Sequence, residues 1–147
     1  KEKNGRFCKV DWIIHLVANG VSCEDCGKTE SGFLPYMCNA HTHGMYKYGH
    51  QEFQFVLNIG QSMIKYILNS LGLRVQRGEK FKSGDSVPEI IQNYDIRLKE
   101  VEVDGEMLLR VLIPDANGRF PGDAGCQEPY SQQLLPMSVI YHNGGIN

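Results

Sequence analysis

The sequence predicts an α+β domain, a mainly antiparallel sheet with helices packed on one face. Three observations lead there. Residues 52–59 alternate, with Phe53, Phe55, Leu57 and Ile59 on one side, the period of a strand with one buried face. Residues 61–71 instead carry Met63, Ile64, Ile67, Leu68 and Leu71 at helical spacing, and Gly72 stands where a C-terminal cap is favoured. Between two further alternating runs stands Asp104-Gly105, the two-residue turn whose twist matches a hairpin.

The elements follow in order. Val10, Ile13, Ile14 and Val17 recur at helical spacing before Gly20, which predicts a helix over 9–19 with Trp12 and His15 off its apolar stripe. Residues 22–35 are polar and turn-rich and read as a loop. A strand is expected over 36–43, then a Gly-rich connection over 44–51, the strand 52–59 and the helix 61–71. A polar connection, 73–87, leads to a short helix at Pro88-Glu89-Ile90-Ile91, with proline in its first turn. The hairpin arms are Ile96–Val103 and Met107–Ile113. Residues 114–125 read as a Gly/Pro/Asp-rich loop, and residues 137–147 as a fraying tail. Nothing repeats and no linker divides the chain, so 1–147 reads as one domain with its core over 10–136.

Composition bounds the function classes. At 147 residues and 41% hydrophobic content the chain can bury a core without covalent staples. No apolar run approaches the roughly 20 residues that span a bilayer. The polar start Lys1-Glu2-Lys3-Asn4-Gly5 has no secretory core and no initiator Met, so upstream sequence is expected to be missing and a cytoplasmic location is expected. A net charge of −2 gives no broad attraction for nucleic acid or membrane. The local group Arg74, Arg77, Lys80 and Lys82 around Phe81 reads as a solvated turn. Five cysteines, Cys8, Cys23, Cys26, Cys38 and Cys126, are an odd count, which suits reduced thiols better than a disulfide framework.

Chemistry concentrates between Cys38 and His50, where three of the five histidines fall within thirteen residues. On a strand, His41 and His43 share a face, roughly 7 Å apart at Cα. With His50 returning from the next turn they make a candidate metal set for zinc or iron, three imidazoles with an open coordination position. A competing arrangement uses Cys23-x2-Cys26 as a zinc knuckle, with Cys38-x2-His41 as the other half of a closed site. The two conflict, because regular strand geometry puts Cys38 and His41 on opposite faces. A plain structural role for these residues is the third alternative, since a strand histidine is often only hydrogen-bonded and a buried cysteine is a small hydrophobe.

The second candidate region is Pro114-Asp115-Ala116-Asn117-Gly118-Arg119-Phe120-Pro121-Gly122-Asp123. Its spacing does not fit a calcium loop. Arg119 suits an anion clamp, and Asp115 or Asp123 could orient a histidine; the simpler reading is a self-braced turn. No phosphate loop, dinucleotide fingerprint or nucleophile elbow occurs.

Thr42-x-Gly44, Gly49-His50-x-Glu52 and Pro114-Asp115-x-x-Gly118-Arg119-Phe120-Pro121 with a downstream Gln-Leu together resemble the bacterial domain of unknown function 4262 family, over roughly residues 10–136. The resemblance implies a single cytoplasmic α+β domain and no assigned activity. Family members usually show His-Pro-Glu where this chain has His50-Gln51-Glu52, and many carry Trp where Gly122 stands. The catalytic candidates are then His50, Glu52, Asp115 and Arg119. Two function classes follow: a small metal-dependent enzyme using His41, His43 and His50, or a non-enzymatic module binding a small molecule or protein of a bacterial or phage system.

Overall fold

The computed structural model describes residues 9–20 and 32–141. Six strands form one mixed sheet: β1 Ile13–Ala18, β2 Met37–His43, β3 Phe53–Leu57, β4 Ser86–Val87, β5 Ile96–Val103 and β6 Glu106–Leu112, in the spatial order β1-β2-β3-β6-β5-β4. Every neighbouring pair is antiparallel except β3 and β6, which run parallel through Phe53↔Leu109 and Gln54↔Arg110. The expected α+β class holds in this coarser form: the sheet is mixed, and one long helix, α1 Gln61–Gln76, accompanies it.

The first element departs from expectation. Residues 13–18 are a strand, paired with β2 from Ile13↔His43 to Ala18↔Cys38. A second period runs through the same segment: Trp12, Ile14, Leu16 and Ala18 are buried, while Ile13, His15 and Val17 are not. Isoleucine and valine suit a pleated surface, and a full-length partner strand outweighs a weak helical preference.

Helix α1 also runs past its expected end. Gly72 does not cap it; a Cβ at that position would lie 2.5 Å from Trp12 Cζ2. The glycine is there so the indole can lie against the helix, and Trp12 Nε1 donates to Asn69 Oδ1 at 2.9 Å. The expected turn of helix at Pro88–Ile91 does not form, and Glu89 takes a left-handed conformation, φ 67°. The hairpin matches expectation, with Asp104 and Gly105 at φ 52° and 84°, as a type I′ turn requires.

Strand alternation divides the sheet into two faces. Ile14, Leu16, Ala40, Phe53, Phe55, Leu109 and Val111 are buried on the inner face, with Ile64, Ile67, Leu68, Leu71 and Val75 of α1 completing the core. Each of these side chains larger than alanine stabilises the fold by about 1.5–3 kcal/mol. The outer face carries the alternate residues, among them His15, His41, Gln54 and Arg110. The chain crosses this face over 130–135, where the Gln133 and Leu135 carbonyls accept from Arg110, so helical segments do not lie on one face only. Residues 137–141 are not a loose tail: α2, Met137–Ile140, buries Ile140, and Leu34 N–H donates to the Ile140 carbonyl at 2.9 Å.

Candidate functional site

Thr42, Gly44 and Glu52 form one hydrogen-bonded unit. Where β2 ends, the chain turns through a short 3-10 segment, Met45–Tyr48, whose first amides have no partners of their own. The nearly buried Glu52 carboxylate supplies them: it accepts from Gly44 N–H and Met45 N–H at 3.1 Å, and from Tyr46 N–H at 3.4 Å. The Thr42 hydroxyl donates to Glu52 Oε1 at 2.8 Å and accepts from Phe53 N–H at 3.0 Å. Gly44 is required by geometry, because its φ is 138° and a Cβ would lie 2.7 Å from Trp12 Cβ.

His50 belongs to the same scaffold. Its ring stacks on Phe53, centroids 5.3 Å apart, and meets Phe81 edge-on at 6.1 Å. Nε2 accepts Phe81 N–H at 3.0 Å, so the proton is on Nδ1, which is 2.8 Å from the Gln51 carbonyl. Both nitrogens are thereby engaged, and His50 is not brought to His41 and His43. Among the described residues, no group of three or more His, Cys, Asp and Glu side chains is arranged to hold a metal.

The Asp115 loop braces itself in the same way. Asp115 is buried, and its carboxylate accepts from the amides of Asn117 and Arg119 at 2.9 Å and Gln127 at 3.0 Å. The Arg119 amide foremost, against some desolvation, holds this carboxyl below the usual aspartate range. Asp123 accepts Phe120 N–H at 2.9 Å. Arg119 Nη1 reaches the Gly125 carbonyl at 3.4 Å, while the Arg97 guanidinium lies 4.0 Å from the Phe120 ring centre. Both carboxylates are spent on their own loop, and among the described residues no hydrogen bond joins either to a histidine, the orienting role that the sequence suggests.

The closed cysteine site loses its second half. Cys38 is fully buried beneath the sheet, its thiol directed at the Phe55 carbonyl and pushed up by burial to about 12. His41 points to the opposite face, as strand geometry demands. Cys23 and Cys26 lie outside the described residues.

What the structure does bring together is a row the helical reading of 9–19 concealed. His15 is the direct cross-strand partner of His41. Their rings are 5.2 Å apart, His15 and His43 are 6.4 Å apart, and His43 lies 5.6 Å from Tyr46. Four rings therefore run in sequence across the outer face of the β1–β2 edge. Burial first, then the neighbouring His15, lowers the pKa of His41 below the ordinary histidine value, so His41 is neutral at neutral pH.

Beside this row lies a polar chain that spacing alone does not reveal. Gln54 donates to Asn39 Oδ1 at 3.0 Å and accepts from Arg110 Nε at 2.8 Å. Arg110 is 1% exposed, and burial pulls its guanidinium down to about 10, still charged at neutral pH. Its charge is met by carbonyl oxygens at 3.0 and 2.6 Å. Gln133 tightens the same strap by exchanging hydrogen bonds with the backbone of Ile113. A cavity of about 420 Å³ opens between Asn39, the Val103-Asp104 end of the hairpin, and Pro136, Met137 and Tyr141.

No helix of the described residues is long and apolar enough to cross a membrane. No curated protein and no solved structure is significantly similar to the chain. The sequence profile described as Domain of unknown function (DUF4262) matches residues 20–127. That span holds the Thr42–Glu52 unit and the Asp115–Phe120 loop, and the chain belongs to the DUF4262 family.

Proposed function

We propose that the protein is a non-catalytic binding module that takes its ligand on the outer face of β1 and β2, around His15, His41, His43 and Tyr46. One observation carries this reading: the motif side chains best suited to catalysis are already committed to the backbone. Glu52 accepts three amides and a hydroxyl, Asp115 accepts three amides, and His50 uses both ring nitrogens. A general base must reach the proton it removes, and these groups are turned inward to hold turns together. The four-ring row has a different character: it lies on the outer face of a sheet that α1 stabilises from the other side, with His15 and His41 half-buried and His43 and Tyr46 exposed. Imidazole and phenol there offer stacking faces and hydrogen bonds without a large ordering cost.

A fragment screen by amide and imidazole NMR shifts tests the reading, using small neutral and anionic aromatic compounds. Hits are expected to perturb His15, His41, His43 and Tyr46, and His41→Thr with Tyr46→Ser is expected to remove them while leaving the melting temperature within about 2 °C. Hits that gather instead on Glu52, Asp115 and Arg119, or turnover that ceases on Glu52→Gln without unfolding, would return the chemistry to the motif.

A further inference from the structure

We propose that His15 and His41 form a cross-strand chelating pair for a divalent d-block cation, zinc being the best chemical match, with His43 as the third ligand after its ring turns inward. The proposal rests on the binding-face reading and names the chemistry of that face. The register fixes the pair: His15 and His41 are Cα partners on antiparallel strands, and both project outward.

The spacing fits. A zinc ion about 2.0–2.1 Å from a ligating nitrogen lies roughly 3.2 Å from the ring centre, so two imidazoles at the tetrahedral angle have centroids about 5.2 Å apart. His15 and His41 are separated by 5.2 Å. His43, at 6.4 Å from His15, is at roughly the greatest separation that two imidazoles on one ion can reach. It must therefore rotate to bind. Its exposure leaves room for that rotation, and its neighbour there is the exposed Tyr46.

Imidazole ligands favour zinc, nickel and copper over magnesium and calcium. The described residues do not converge three ligands in advance, so this site is weaker than a preformed structural zinc centre. Water fills the remaining positions. The pair differs from the set expected from sequence, because His15 replaces His50.

Calorimetric titration of the full chain with zinc chloride tests the proposal, alongside cobalt(II) absorption as a report on ligand type. One equivalent is expected to bind, with nitrogen-type cobalt bands and no thiolate charge-transfer band. His15→Thr and His41→Thr, each acceptable on a strand, are expected to weaken binding at least tenfold without shifting the metal-free melting curve. Cys23→Ser with Cys26→Ser is expected to change nothing. The proposal is overturned by absence of binding, by affinity that survives both threonine variants, or by loss of binding in the serine variant. Should zinc fail while aromatic fragments still perturb His15, His41 and Tyr46, the binding-face reading stands and the metal falls.

Discussion

Replacing Glu52 by glutamine tests the central claim that the motif is scaffold. The carboxylate uses Oε1 for the Thr42 hydroxyl and Met45 N–H, and Oε2 for Gly44, Met45 and Tyr46 N–H. Glutamine keeps the shape but turns one acceptor into a donor. Facing the amides, the new NH2 would leave Gly44 and Tyr46 unpaired, while Met45 keeps the remaining oxygen. Facing Thr42, it meets an oxygen that already accepts Phe53 N–H and strands the hydroxyl proton. Either way the unit loses charge-assisted bonds and leaves at least one donor unsatisfied in a buried or half-buried setting. The expected cost is about 2–3 kcal/mol. For a chain of this length that is roughly 4–10 °C in melting temperature. Urea unfolding at pH 7, followed by tryptophan fluorescence, should show a lower midpoint at an unchanged slope. Trp12 is a suitable reporter, being the only tryptophan and packed against Gly44 and Gly72. A Glu52→Gln variant as stable as the parent would refute the reasoning, because it would mean that the carboxylate is kept for something other than holding the turn.

Three further predictions follow from the same geometry. Gly72→Ala gains about 1 kcal/mol in helix propensity, but its methyl would be driven into the Trp12 ring at 2.5 Å. Overpacking of about 1–3 kcal/mol should win, so denaturant unfolding should show a net loss, and a gain would mean the indole can move aside freely. Asp115 has a lowered carboxyl pKa in the fold, so it stabilises above the unfolded value of about 3.9 and loses that contribution as pH falls through the lower folded value. Asp115→Asn should therefore flatten the acid limb of a stability–pH curve below about pH 4; an unchanged limb would show the carboxylate makes no differential contribution. Cys38, with its thiol raised to about 12, should resist alkylation at pH 8 in the folded protein and react on unfolding. Rapid native labelling, read by mass spectrometry, would contradict its burial.

How far the fold is legible in the sequence depends on which forces are local. The strand at Phe53–Leu57 and the turn at Asp104-Gly105 carry their signals within a few residues, so alternation and turn chemistry suffice. Residues 13–18 contain two periods at once. Helical spacing of Val10, Ile13, Ile14 and Val17 competes with the alternation of Trp12, Ile14, Leu16 and Ala18, and only the partner strand 20 or more residues away decides between them. The same ambiguity conceals the row of rings, because His15 faces His41 only if both segments are strands. Gly72 misleads for a related reason: a glycine ending an apolar stripe looks like a cap, whereas here the Trp12 ring, 60 residues away in sequence, requires it. Arg110 and Gln54 carry no local signal, since their meaning lies wholly in the β3–β6 register.

The separation of motif from ring row has a physical logic. A buried carboxylate is tolerated only when its lone pairs are satisfied, and satisfying them with backbone amides makes it rigid and unavailable. Glu52 and Asp115 meet that condition, which explains why glycines surround them: Gly44 and Gly118 adopt φ of 138° and 80° so that amides converge on the carboxylates. The outer face is under no such demand. A sheet surface at positions 15, 41 and 43 is served as well or better by threonine, valine or tyrosine. Three imidazoles placed there add mutual repulsion whenever more than one is protonated, and His41 already registers it through His15 and His43. A cluster that costs stability when charged is hard to explain as scaffold alone. It is readily explained as the part of the molecule that meets something else.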